Sequence, residues 1–335
     1  MIWRHVVLAL PLVESVPEHV LDRAGRIVRG LGAELDLFHS DHDARIAEHV
    51  RPGRSLAALI RERVEAKQRR LEHVADTLRD QGLTVRTSVR WDYPIYEAIV
   101  RHVLHHGADL VIVPAARLGH GSAITLAYTD ARLVEACPCP LLLLKTEQVY
   151  SRGPVVAAVD PMHARGKPAE LDERIVAGAK TLARALAGAP VYVYHACAWR
   201  TEPEPAAPSV AVRAEPISPE RQKAYQSECE LEVRNLAAEH ELPSDFVHVE
   251  SGAVASVLPS YVRAARADAV VMGAVSRSYP ERALFGGTAE KVLDALECDV
   301  LIMKPSGFRS PVGSRVPRAA ARRSGTGRAR AAAAG

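Results

Sequence analysis

The glycines that punctuate Ala269–Thr288 have the types and spacing best suited to chemistry. The stretch reads as an apolar run, Ala269-Val-Val-Met-Gly273, then a polar loop, then Gly286-Gly287-Thr288. A buried strand ending on glycine, followed by glycines that open a helix, presents backbone N–H groups to phosphate. His102, His105 and His106 share one face if their segment is helical, and imidazoles so placed can ligate a metal. The sequence fixes no Cys or carboxylate beside them, so a solvated helix end is the expected reading. Cys137-Pro-Cys139 is C-x-C rather than C-x-x-C, and its position ahead of an apolar strand puts packing before redox chemistry. His39 and His195 each end a strand facing the same crevice with no nucleophile paired to them, and read as polar wall residues.

These residues need a scaffold, and the chain supplies it twice. His5-Val-Val-Leu-Ala-Leu-Pro11 has a partner 150 positions later in Val155-Val-Ala-Ala-Val-Asp-Pro161. Helix-period apolar residues then lead to Glu34–His39 in one half and Pro190–His195 in the other. A long polar-faced helix follows in each, about Ser55–Gly82 and Pro219–Glu241, the latter entered through Ser218-Pro219. The second half inserts Thr201–Pro216, whose Pro, Ala and Glu read as a mobile loop. Strands at Leu83–Arg90 and Phe246–Glu250 precede helices at Ile95–Gly107 and Ala255–Arg266.

The last unit repeats most plainly, Gly107-Ala-Asp-Leu-Val-Ile-Val-Pro114 against Arg266-Ala-Asp-Ala-Val-Val-Met-Gly273, with closing strands in Cys137–Lys145 and Cys298–Lys304. Each half therefore reads β-α-β-α-β-α-β-α-β, an α/β doubly wound domain with a parallel sheet covered on both faces and a ligand outside the strand C-termini. The expected division is 1–147, a linker, 153–305, and a basic tail over 306–335, each domain closing its own core.

At 48% hydrophobic and 25% charged residues the composition is that of a globular protein. The net charge of +3 conceals an asymmetry, because Ser306–Gly335 holds seven Arg and no acid, leaving Met1–Pro305 net acidic. That tail has too little apolar surface to order itself, and its single aromatic, Phe308, gives bases no stacking platform, so nucleic acid would bind only weakly there. Five irregularly placed cysteines form no disulfide framework and suit a reducing cytoplasm. No run approaches the roughly 18 apolar residues of a membrane span, and the opening residues lack a signal peptide's pattern.

The repeated first strand and the repeated final unit together resemble the universal stress proteins, specifically the tandem type with two such domains in one chain. The resemblance implies strand order 3-2-1-4-5 in each half, the halves paired as an internal pseudo-dimer, and a non-enzymatic stress-response role. Nucleotide-binding members show Gly, two residues, Gly, nine residues, Gly, then Ser or Thr, with an Asp ending the first strand. Here Asp160 matches the acid, Gly273 and Gly286 match glycines, Ser276 stands where the middle glycine belongs, and Gly287 takes the hydroxyl position with Thr288 one place late. Those two departures leave the loop open to two readings, a surviving phosphate site or a turn and cap touching no ligand. Asp160-Pro161 is likewise also an ordinary turn starter.

In the first half Leu10 stands opposite Asp160, and Gly119 and Gly121 lack the spacing, which implies no nucleotide site there and an apolar groove instead. The implied ligand is ATP or another adenine nucleotide in the second half, with Mg only alongside it. Alternatives are an apolar or lipid-like ligand, regulation through protein partners including a homodimer, and slow ATP hydrolysis. No Gly-Lys-Ser/Thr phosphate loop supports the last.

Overall fold

The computed structural model describes residues 1–115, 128–162, 170–198, 218–273 and 287–313. In the first half the elements are β1 (His5–Ala9), α1 (Glu18–Leu31), β2 (Glu34–Asp41), α2 (Leu56–Asp80), β3 (Val85–Trp91), α3 (Ile95–His106), β4 (Leu110–Pro114), α4 (Tyr128–Ala136) and β5 (Leu141–Leu144). In the second they are β6 (Val155–Ala158), α5 (Glu170–Ala185), β7 (Val191–Cys197), α6 (Pro219–Glu239), β8 (Val247–Ser251), α7 (Val254–Ala264), β9 (Ala269–Gly273), α8 (Gly287–Ala295) and β10 (Asp299–Met303).

Local signals explain where the helices begin and end. The α1 positions Val20, Ala24, Ile27 and Val28 recur on one face and are buried, and the helix stops where Gly32 turns left-handed at φ 62°, its N–H donating to the Arg29 carbonyl. The Ser55 side chain accepts the Ala58 N–H at the start of α2, and Ser218 accepts from Arg221 at the start of α6, where Pro219 occupies the first turn. The repeated Ala-Asp also has a physical reason. Asp109 accepts the Arg4 and His5 N–H groups, and Asp268 accepts the Ser151 N–H and hydroxyl, each tying the entry of a first strand to the entry of its fourth.

One sheet of ten strands runs through the molecule in the order β3-β2-β1-β4-β5-β10-β9-β6-β7-β8. Read inward from each edge to the middle, each half has the order 3-2-1-4-5 and is parallel throughout. The halves meet at an antiparallel seam, Leu141–Leu143 against Ile302–Val300, so the complete sheet is mixed.

The apolar packing of the two halves is continuous across the seam. Alternate strand residues feed two apolar layers, and both layers span the seam. On one face Val6 and Leu8 join Val155, Ala157 and Val271 beneath α1, α2, α5 and α6. On the other, Val7 and Ala9 join Val156, Val270 and Ile302 beneath α3, α4, α7 and α8. Each fully buried Leu or Val contributes about 1.5–3 kcal/mol, so the seam is held by the same force as the domains it joins. Of the expected tail, Ser306–Gly313 is docked, with Phe308 4.6 Å from the Lys304 ammonium and Val312 against the second layer. Residues 314–335 and the inserted loop 199–217 lie outside the described residues.

Candidate functional site

Parallel strands β6 and β9 are neighbours, with Ala158 opposite Met272, so their C-terminal ends bring Asp160 and Gly273 to the same rim. The Asp160 backbone N–H donates to Asp172 Oδ1 at 3.0 Å. Asp172 lies in the first turn of α5, where the helix dipole favours a carboxylate. The Asp160 side chain is 36% exposed and its Oδ1 lies 3.9 Å from His195 Nδ1.

Hydrogen bonding shifts the equivalence between the halves by one residue. Leu10 N–H donates to the Phe38 carbonyl exactly as far along its strand pair as Val159 N–H donates to Tyr194. The counterpart of Leu10 is therefore Val159, and Pro11 stands where Asp160 stands. Pro11 and Pro161 drew the sequences into register at the turn, whereas the ladder counts from the strand. The first half still offers no acid at this point. Its groove of about 630 Å³, lined by Val13, Val16 and Leu21 but also by Glu14, Arg70 and His73, is mixed in character rather than apolar.

Gly273 sits in close packing. A Cβ there would come 2.8 Å from Leu171 Cδ2 and 3.5 Å from Ile175 Cδ1, so the absent side chain lets α5 lie on the strand end. Gly287 and Thr288 open α8 on the exposed surface, and a Cβ at Gly287 would meet nothing within 4 Å. Ser276 and Gly286 lie outside the described residues, as do Gly119 and Gly121. A helix start suits an anion, whereas the carboxylates of Asp160 and Asp172 at the strand end suit hydroxyl donors or a cation.

The two strand histidines are buried rather than lining a wall, and each strand runs two residues beyond its histidine. His39 Nδ1 bonds the Leu10 carbonyl at 2.9 Å and His195 Nδ1 the Val159 carbonyl at 3.0 Å. A carbonyl only accepts, so Nδ1 carries the proton in both rings. Burial holds His39 below the ordinary histidine range. Two residues beyond His195 on the same strand face is Cys197, whose Sγ lies 2.9 Å from Cys229 Sγ on α6. Burial, then the hydrogen bond to Cys197, pushes the Cys229 thiol up to about 12. The corresponding strand position in the first half is Asp41, ion-paired to Arg63 of α2 at 2.6 Å. Sequence reasoning passed over this thiol pair. Its only linear signal is His-x-Cys, a spacing that puts both side chains on one face of a strand.

His102 also departs from expectation. It is buried, its Nε2 lies 2.8 Å from Asp36 Oδ2, and its ring stacks on Phe38 at 4.2 Å, while His105 and His106 are exposed. Burial and the adjacent His102 lower the His106 pKa. Cys137 and Cys139 lie 3.8 Å apart and Cys137 is buried in the second layer, which fits packing.

A profile of the Universal stress protein family matches residues 3–145 and 154–304. Universal stress protein E of Escherichia coli K12 is 28% identical over 233 residues, 69% of this chain and 72% of the relative. The homologue from Photorhabdus laumondii is 26% identical over 70% of this chain and 73% of its own length. Among solved structures, a functionally unknown protein from Pseudomonas aeruginosa PAO1 superposes with TM-score 0.66 at 24% identity, covering 90% of this chain and 93% of that one. A universal stress protein from Archaeoglobus fulgidus DSM 4304 gives 0.61 at 14% identity, covering 89% and 98%. No helix among the described residues is long and apolar enough to cross a membrane.

Proposed function

Because this chain belongs to the universal stress protein family through both of its halves, we propose that it is a non-enzymatic, cytoplasmic stress-response protein whose second half binds an adenine nucleotide. The observation that carries the reading is the rim shared by β6 and β9, where Asp160 and Gly273 adjoin. In this reading the partly exposed Asp160 carboxylate accepts the ribose hydroxyls, and the N-terminus of α8 at Gly287 and Thr288 receives phosphate. Ser276 and Gly286, between β9 and α8 in the chain, complete the proposed site. The acid pair Asp160 and Asp172 also suits a Mg ion accompanying the phosphates, which would offset their repulsion of the anion.

The first half carries Pro11 in place of the acid and serves as the structural partner of the second. Equilibrium dialysis of the full chain against labelled ATP tests the assignment. One nucleotide retained per chain, with retention at least tenfold weaker in Asp160→Ala, is expected. No retention by the wild type, or equal retention by the variant, overturns it.

A further inference from the structure

Among the described residues, a ring nitrogen of His195 and the sulfurs of Cys197 and Cys229 lie within 4.8 Å of one another, and all three residues are buried. The set bridges two elements, since His195 and Cys197 project from the same face of β7 and Cys229 comes from α6. Two further observations point to a ligand. His195 Nε2 is buried and has no hydrogen-bond partner among the described residues, although Nδ1 is held by the Val159 carbonyl; His39 is held in the same way in the first half, but only in the second half are thiols beside the ring. A ring fixed through one nitrogen, with a lone pair left on the other, is the usual arrangement of a metal-bound histidine. The thiols, moreover, replace the Asp41–Arg63 ion pair that fastens the corresponding strand and helix in the first half. The second half has no charge pair at this point and brings two soft donors together in its place.

We propose that His195, Cys197 and Cys229 form a binding site for a thiophilic d10 cation, with Zn2+ as its probe. Imidazole and two thiolates are the donors such ions select, and a tetrahedral ion takes a fourth ligand from water or a carboxylate. The sulfurs, now 2.9 Å apart, part to about 3.8 Å around an ion with Zn–S bonds of about 2.3 Å. Each thiol gives up its proton to solvent as its sulfur bonds the metal, so nothing is oxidised or reduced. The Val159 carbonyl orients the imidazole through Nδ1, and the partly exposed Asp160 carboxylate lies beside the ring, 3.9 Å from that nitrogen. None of the three ligands takes part in the nucleotide reading, and because Asp160 adjoins His195 the metal test is run without nucleotide.

The test uses the full chain purified under reducing conditions and dialysed against Zn2+ or Co2+, followed by elemental analysis and absorption spectroscopy. About one equivalent of tightly held metal is expected, and the Co2+ form should show tetrahedral ligand-field bands with thiolate charge transfer. Cys197→Ser and Cys229→Ser should each lose at least tenfold in affinity, whereas the Cys137→Ser, Cys139→Ser double variant should keep the spectrum. A measurement free of core substitutions accompanies these. Wild type stripped with a chelator should melt at a lower temperature and recover on adding Zn2+. Absence of bound metal in reduced wild type overturns the proposal. So does a Co2+ spectrum unchanged by Cys229→Ser, or a Cys197–Cys229 disulfide that persists under reduction while the protein takes up no metal.

Discussion

Gly273 shows how one residue can satisfy two explanations, a phosphate loop or a packing constraint. The geometry favours packing, with a Cβ at this position 2.8 Å from Leu171 Cδ2. Gly273→Ala should therefore destabilise the protein by about 1–3 kcal/mol, read from the urea midpoint, and adding Leu171→Val should recover part of the loss. Unchanged stability accompanied by lost ATP retention would show instead that the glycine serves a ligand. At this scale the sequence was informative about residue type and uninformative about cause. The glycine was visible in the chain, but its neighbour Leu171 is brought there by α5. The thiol pair was less visible still, because a long insertion separates Cys197 from Cys229 in the chain and periodicity cannot say which turn of α6 faces β7. The burial of His102 on α3 is hidden for the same reason, since its partner Asp36 comes from β2.

Elements were the most legible level, because strand alternation and helix period are local properties. What no local pattern revealed is how the ends of the elements lock across the seam. Lys145, just after β5, donates to the Leu293 and Leu296 carbonyls at the end of α8, the latter at 2.6 Å. Lys304, just after β10, donates reciprocally to the Val134 carbonyl in α4. Each half thus places a cation at the negative end of the other's last helix. Burial lowers the Lys304 pKa from its ordinary 10.5 to about 8. Between those values the unfolded chain holds the proton and the folded one has released it, so stability from this group rises with pH. Relative to Lys304→Met, the wild type should gain unfolding free energy from about pH 8 to 10.5 and show a flat difference below pH 8. A difference that falls across that window would mean the ammonium is favoured inside.

At the scale of the whole molecule, two apolar layers and one sheet run through both halves, which predicts that the tandem repeat unfolds as a single unit. The sequence announced two domains because it repeats, yet repetition says nothing about where a core ends. Short Leu strands such as β5 look alike whether they face solvent or a partner. The seam has its own polar lock. Arg23 of α1 donates to Asp299 of β10, and Tyr150 from the connecting segment donates to the same carboxylate at 2.6 Å. Asp299 Oδ1 also accepts the Lys145 N–H at 2.9 Å. Arg23→Leu would leave that acid buried without its cation, and burial already raises the Asp299 pKa. The expected loss is about 3–5 kcal/mol. If the halves share one core, urea unfolding followed by Trp fluorescence and by hydrogen exchange in β9 and β10 should give coincident transitions. In a Trp199→Phe background the remaining Trp3 and Trp91 report on the first half, while those strands report on the second. Arg23→Leu should move both transitions to lower urea together. A shift confined to one half would show that the seam joins two units that unfold separately.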